Sequence, residues 1–235
     1  MVKLAGASDG NHVFAEKPSQ LAEVFRNEFG ELTSVVAGDV IIIIQCRNGV
    51  KPLRSLGREA NIKGDRVEAR LNQLYSSQEK YLLLEVETPV GEDGAQLDIA
   101  EIEVRYNNLV TRQKEKVQGQ VRISYSGSDE EAKKSVNQTV MVSASEQIGA
   151  DMDEKALELK DKGDSKGAEE MMRSKADYLA NQAKKLKSKR LEKQSLSARK
   201  AQEAIAAPAA SATWNKARKA MRADQYSIKK QQSYK

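Results

Sequence analysis

The chain has 235 residues, with 39 Lys and Arg against 34 Asp and Glu, 5% aromatics, a single cysteine and a single histidine. That length holds one sizeable domain, or a medium domain with an extension. The lone Cys46 and lone His12 exclude an intramolecular disulfide framework and the common Cys/His zinc sites. The charge is unevenly spread: residues 171–235 carry 17 basic and 4 acidic side chains, residues 1–170 carry 22 and 30. Such a split marks two physically different modules.

In chain order, residues 1–34 are too few for a domain. His12-Val13-Phe14-Ala15 predicts a short strand, and Pro18 suits a first helical turn, where its missing N–H costs nothing. Leu21, Val24, Phe25, Phe29 and Leu32 then recur at helical spacing, a stripe that needs a surface to cover. From residue 35 to 127 the period changes. Val40-Ile41-Ile42-Ile43-Ile44-Gln45-Cys46 is a continuous, largely β-branched run, predicting a strand buried on both faces, with Cys46 as a small buried or edge thiol. Asn48-Gly49, Gly57 and Lys63-Gly64-Asp65 are turn signals that punctuate the next twenty residues. Val67, Ala69 and Leu71 share one face, residues 81–86 are apolar, and Ile102, Val104 and Tyr106 alternate with Glu101, Glu103 and Arg105. Val117, Gly119, Val121, Ile123 and Tyr125 alternate again. Six or seven short strands at this spacing predict an antiparallel β-sandwich, or a small open barrel.

Residues 128–180 read as a helical hairpin. Ser128-Asp129-Glu130-Glu131 has the form of a capping box and Asn137 of a second cap. Val140, Ala144, Ile148, Met152, Ala156 and Leu159 recur every three or four residues up to Lys162-Gly163-Asp164, a helix stop. Ala168, Met171, Met172, Ala176 and Leu179 open the return helix. A lone hairpin cannot bury its own face, so it is expected on the sheet or on a partner. Over 181–235 the apolar stripe thins to Leu186, Leu191, Leu196 and Ile205, and a basic, partly helical or disordered tail is expected. The fold class is therefore α+β: a β-sandwich, a helical hairpin and a long helical C-terminal extension.

These stretches together resemble a known pattern. Leu4-Ala5-Gly6, then Gly10-Asn11-His12-Val13-Phe14 and Leu21-Ala22-Glu23-Val24-Phe25, is similar to the last strand and last helix of a von Willebrand factor type A (VWA) domain. Val35-Val36-Ala37 with the run 40–44 and the alternation 102–106 resembles the β-rich segment that follows this domain in bacterial VWA proteins. Residues 137–168 resemble the helical hairpin closing such proteins. The resemblance spans roughly residues 4–180. It implies a VWA remnant over 1–34, an accessory sandwich over 35–127 and a role in protein–protein interaction, metal-dependent adhesion or assembly. The family's metal loop is Asp-x-Ser-x-Ser, which does not occur in this sequence. The resemblance therefore implies a chain without the metal-site half.

The chemistry expected is that of contact. No Gly-x-Ser-x-Gly elbow and no Gly-x-x-x-x-Gly-Lys-Ser/Thr loop is present, and one histidine does not make a triad. Gly163-Asp164-Ser165-Lys166-Gly167 joins two helices and follows no strand. Asp151, Asp153 and Glu154 lack the glycine and the distant glutamate of a calcium loop, and read as a solvated helix face. The chain is expected to be no enzyme and to need no cofactor or metal. Its partners are expected to be other proteins. The basic tail supports a second class, nucleic acid or another polyanion, because each lysine or arginine can neutralise a phosphate. The side chains singled out for partner or polyanion contact are Lys184, Lys185, Lys187, Lys189, Arg190, Trp214 and Tyr226, the last two as part of an amphipathic docking peptide. The longest apolar run is five residues and no leader pattern opens the chain, so a cytoplasmic setting is expected.

Overall fold

A computed structural model describes residues 14–15, 17–32, 35–208 and 210–231. The expected strand at His12 and Val13 and the Leu4-Ala5-Gly6 motif lie outside these residues. The described residues form two compact units, residues 17–136 and residues 137–231.

The first unit opens with helix α1, Pro18–Leu32. Pro18 is its first helical residue, and the Lys17 N–H is taken up by Gln20 Oε1 at 3.0 Å. Leu21 and Phe25, on the predicted stripe, are both exposed. Seven strands come next: β1 (Val35–Cys46), β2 (Lys51–Leu56), β3 (Asn61–Lys63), β4 (Arg66–Tyr75), β5 (Leu83–Glu87), β6 (Gln96–Asn108) and β7 (Gln113–Ser124). They build a five-stranded antiparallel sheet in the order β3-β4-β1-β6-β7 and a two-stranded sheet, β2-β5. The central place of β1 explains its β-branched run. Val40, Ile43, Ile44 and Cys46 are all buried, because a central strand has neighbours on both edges, its inner face is apolar and its outer face is screened by long side chains of the flanking strands.

Register assigns the faces. Val40, Ile42 and Ile44 lie beside Leu71, Ala69 and Val67 on one flank, and Ile42 and Ile44 beside Val104 and Ile102 on the other. Leu82 and Leu84 pack on this inner face, so the two sheets form an uneven sandwich. Asn48 and Gly49 form the expected turn, both at positive φ (51° and 79°), closed by the Val50 N–H on the Arg47 carbonyl at 3.0 Å. The turn does not make a hairpin, since β2 pairs with β5 and the chain changes sheet there. On the outer face Ile43 is flanked by Glu68 and Glu103. Arg70 pairs with Glu68 at 2.9 Å and Arg105 with Glu103 at 2.5 Å, and each guanidinium holds its carboxyl below the ordinary range. Such arms shield apolar surface while their heads stay wet. Helix α2, Asp129–Ser135, ends the unit, with the Ser128 hydroxyl accepting from the Glu131 N–H.

The second unit is helical: α3 (Gln138–Asp161), α4 (Ser165–Lys185), α5 (Lys189–Ile205) and α6 (Ala212–Lys230). Each start carries a side-chain cap: Asn137, Asp164, Ser188 and Ser211. Gly163, at φ 90°, ends α3 as expected, with the Asp164 N–H reaching back to the Leu159 carbonyl at 2.9 Å. The hairpin α3–α4 finds its cover within its own unit. One core joins Ala156, Leu157, Ala168, Met172 and Ala176 with Ala198, Ile205, Trp214 and Met221 of α5 and α6. The expected helical extension is present, and instead of standing loose it closes a helical bundle.

Candidate interaction surfaces

The basic block of the sequence sits at the turn between α4 and α5. Leu186 is buried and anchors it, Lys187 takes a left-handed φ of 49°, and Ser188 caps α5. Lys184, Lys185, Lys187 and Lys189 are exposed there. Arg190 is also exposed, but its guanidinium pairs with the buried carboxylate of Glu146. Two expected contact residues belong elsewhere. Trp214 is 2% exposed and Tyr226 is 6% exposed, so α6 is part of the bundle core and not a free docking peptide. The physical reason for Trp214 is that it stands seven residues before Met221, which puts the two on one helix face, and that face joins the core formed with α3, α4 and α5. Tyr226, five residues further on, lies on another side of the helix and is buried outside that cluster. Lys160 completes the seat of Trp214: its ammonium lies 5.6 Å from the ring centre and donates to the Ser165 hydroxyl and the Ala207 carbonyl, both at 2.9 Å.

A polar group inside the bundle escaped the sequence reading. Asp153 is buried, and its Oδ2 meets the Lys175 ammonium at 2.5 Å while Oδ1 has no hydrogen-bond partner. Glu146, also buried, accepts from Gln194 at 2.8 Å. Both line a cavity of about 240 Å³ with Gly149, Met172 and Ala198, and Asp224 lies at its rim. Burial pushes the Asp153 and Glu146 carboxyls above their ordinary range; Lys175 pulls Asp153 back, and Arg190 and Gln194 pull Glu146 back. The acidic trio read as a solvated face is thus split: Asp153 turns inward, and Asp151 and Glu154 take Lys229 at 2.9 and 2.5 Å. The signal that could have found this is positional, because Asp153 stands on the stripe of Gly149 and Ala156. Among the described residues no group of three Asp, Glu, His or Cys side chains is arranged to hold a metal ion.

The other missed feature is β7. The register sets Val117 beside Val104, Gly119 beside Ile102 and Val121 beside Ala100, so these three belong to the inner, apolar face. That face is uncovered here: Val117 is 57% exposed and Val121 37%. A side chain built at Gly119 would meet nothing within 4 Å, which makes the position an open notch between the two valines. The outer face of the same strand carries Lys114, Lys116, Gln118, Gln120 and Arg122. Arg122 is held by Asp98 at 2.5 Å and Gln118 by Glu103 at 3.0 Å. β7 is the last strand of its sheet, and among the described residues no strand pairs with its far edge. A glycine inside a strand is the sequence signal for close approach of another backbone.

Solved structures offer two comparisons. The von Willebrand factor type A protein from Catenulispora acidiphila is 16% identical, with a TM-score of 0.59 over 81% of this chain and 47% of its own. The ArnB paralog VWA2 from Sulfolobus acidocaldarius is 14% identical, with a TM-score of 0.44 over 98% of this chain and 51% of its own. The chain spans about half the length of either. The first likeness shows a fold shared with a VWA protein, as the sequence resemblance implied. No family model and no curated protein matches the sequence. Among the described residues no helix is long and apolar enough to cross a membrane.

Proposed function

We propose that this chain is a non-catalytic interaction module of a VWA-type protein, which works through contact surfaces and carries no metal-dependent adhesion site of its own. The observation that carries the reading is the uncovered inner face of β7, where Val117 and Val121 flank the Gly119 notch beside a strand edge that no strand among the described residues pairs with. Apolar side chains on a core-facing register are normally covered, and an open, flat edge is a template for pairing with another chain. The free, buried thiol of Cys46 fits a reducing, cytoplasmic setting. The test is a photo-crosslinking residue at position 117, expressed in the organism of origin. Discrete crosslinked polypeptides are expected, absent from a control with the same residue at exposed Ser135. Equal, diffuse crosslinking at both positions would remove the reading.

A second reading has its own observation, the four exposed lysines at the α4–α5 turn. It makes the turn a polyanion contact whose binding weakens steeply with salt. Changing Lys184, Lys185, Lys187 and Lys189 to Gln should abolish retention on duplex DNA. The reading fails if the unaltered chain shows no retention at low salt.

A further inference from the structure

We propose that β7 is completed by a strand of another polypeptide in which bulky apolar residues alternate with acidic ones; the inference rests on the interaction reading and names the chemistry of its partner. Two independent features of β7 set that chemistry. Residues directly opposite each other across a strand pair share a face. A strand laid along the free edge therefore puts every second side chain over Val117, Gly119 and Val121, where the notch has room for a large apolar group. The intervening side chains fall opposite Lys114, Lys116, Gln118, Gln120 and Arg122. The charges on that face of β7 are all positive. Lys114 and Lys116 are exposed and belong to no close salt bridge among the described residues, although Lys116 lies near enough to Glu103 of β6 to help hold that carboxyl down. Carboxylates at these places of the incoming strand would gain opposite-charge pairs, and lysines would meet like charge.

A second copy of this chain is disfavoured as the occupant on the same grounds. Antiparallel self-pairing across a two-fold axis brings the basic face of β7 against its own copy. Centred on the Gly119 notch, it sets Lys116 against Arg122. Glu115, the one acidic residue of β7, offers no relief. It lies on the inner face and is already taken by Tyr106 at 2.8 Å, Asn108 at 3.0 Å and Thr111 at 2.9 Å.

The experiment uses the full chain and three fluorescent synthetic peptides of the length of β7: alternating leucine and glutamate, leucine and glutamine, and leucine and lysine. Anisotropy titration should show the glutamate peptide binding roughly tenfold more tightly than the lysine peptide, the sum of two or three cross-strand charge pairs. Raised salt should shrink that difference. Two surface variants complete the test. Gly119→Val fills the notch and should weaken the glutamate peptide. Lys114→Glu with Lys116→Glu should invert the preference towards the lysine peptide. Equal binding of all three peptides overturns the acidic-strand inference and leaves the interaction reading in place. Binding of none overturns it as well, and crosslinking at position 117 then decides whether the broader reading falls with it.

Discussion

Asp153 and Lys175 show how one buried pair ties stability to pH. Burial raises the Asp153 carboxyl, Lys175 partly reverses this, and Asp224 pushes the same way as burial. A carboxyl whose folded value lies above its unfolded one contributes stability that is full below about pH 4, its ordinary range, and is lost as pH rises through the folded value. Lys175→Met leaves the carboxylate buried without its cation, at a cost of about 3–5 kcal/mol at neutral pH. That cost should shrink as the pH falls towards 4, because protonation removes the charge. Asp153→Asn together with Lys175→Met should restore most of the loss. Urea unfolding followed by circular dichroism at pH 7 and pH 4.5 checks this, and an equal cost at the two pH values would contradict it. This pair was not legible in the sequence. Three carboxylates close together read as a wet helix face; the place of Asp153 on the stripe of Gly149 and Ala156 separates it from Asp151 and Glu154, but nothing in the sequence names Lys175 as its partner. Cys46 was legible as an unreactive strand thiol, buried or at an edge, and the central place of β1 makes it buried. Burial pushes its thiol up, as expected of an inert cysteine.

At the scale of elements, the charge asymmetry of the sequence changes meaning. Much of the positive charge of α6 faces the acidic helix α3. Arg218 and Arg222 meet Asp161 at 2.6 and 3.2 Å, Lys229 meets Asp151 and Glu154, and the Gln147 side chain donates to the Ile228 carbonyl at 2.8 Å. Exposed pairs of this kind are worth little each, so they orient α6 more than they hold it. The holding falls to Trp214 and Met221. Trp214→Ala should cost about 3–5 kcal/mol, through a cavity and the loss of the ring beneath the Lys160 ammonium. Chemical denaturation measures it, and a loss below about 1 kcal/mol would mean that α6 is not part of the core. The caps and stops of α3 were legible because Asn137 and Gly163 act locally. The docking of α5 and α6 was not, because their buried residues are thinly spaced among lysines and their cover comes from helices distant in sequence. Strand existence was legible from alternation. What alternation could not say is whether anything covers the apolar face of β7, since Val117 and Val121 carry the same pattern as the buried Val67 and Leu71.

At the scale of the whole molecule, each unit has a core of its own. Ala37, Val40, Ile44, Val67 and Leu71 serve the first, and Met172, Leu179, Leu191, Ile205 and Trp214 the second. The sequence supplies one reporter for each: the only cysteine, Cys46, lies in the first unit and the only tryptophan, Trp214, in the second. Val67 is fully buried and pairs with Ile44, two residues from Cys46. Shortening it to alanine deletes two buried methyl groups, at a cost of about 2 kcal/mol. A thiol reagent labels Cys46 only when the strand opens, so labelling should accelerate about 30-fold in Val67→Ala at that cost. The urea midpoint read by Trp214 fluorescence should stay where it is. A common shift of both signals would show that the two cores unfold as one cooperative body, and the division into two units would then describe compactness but not stability.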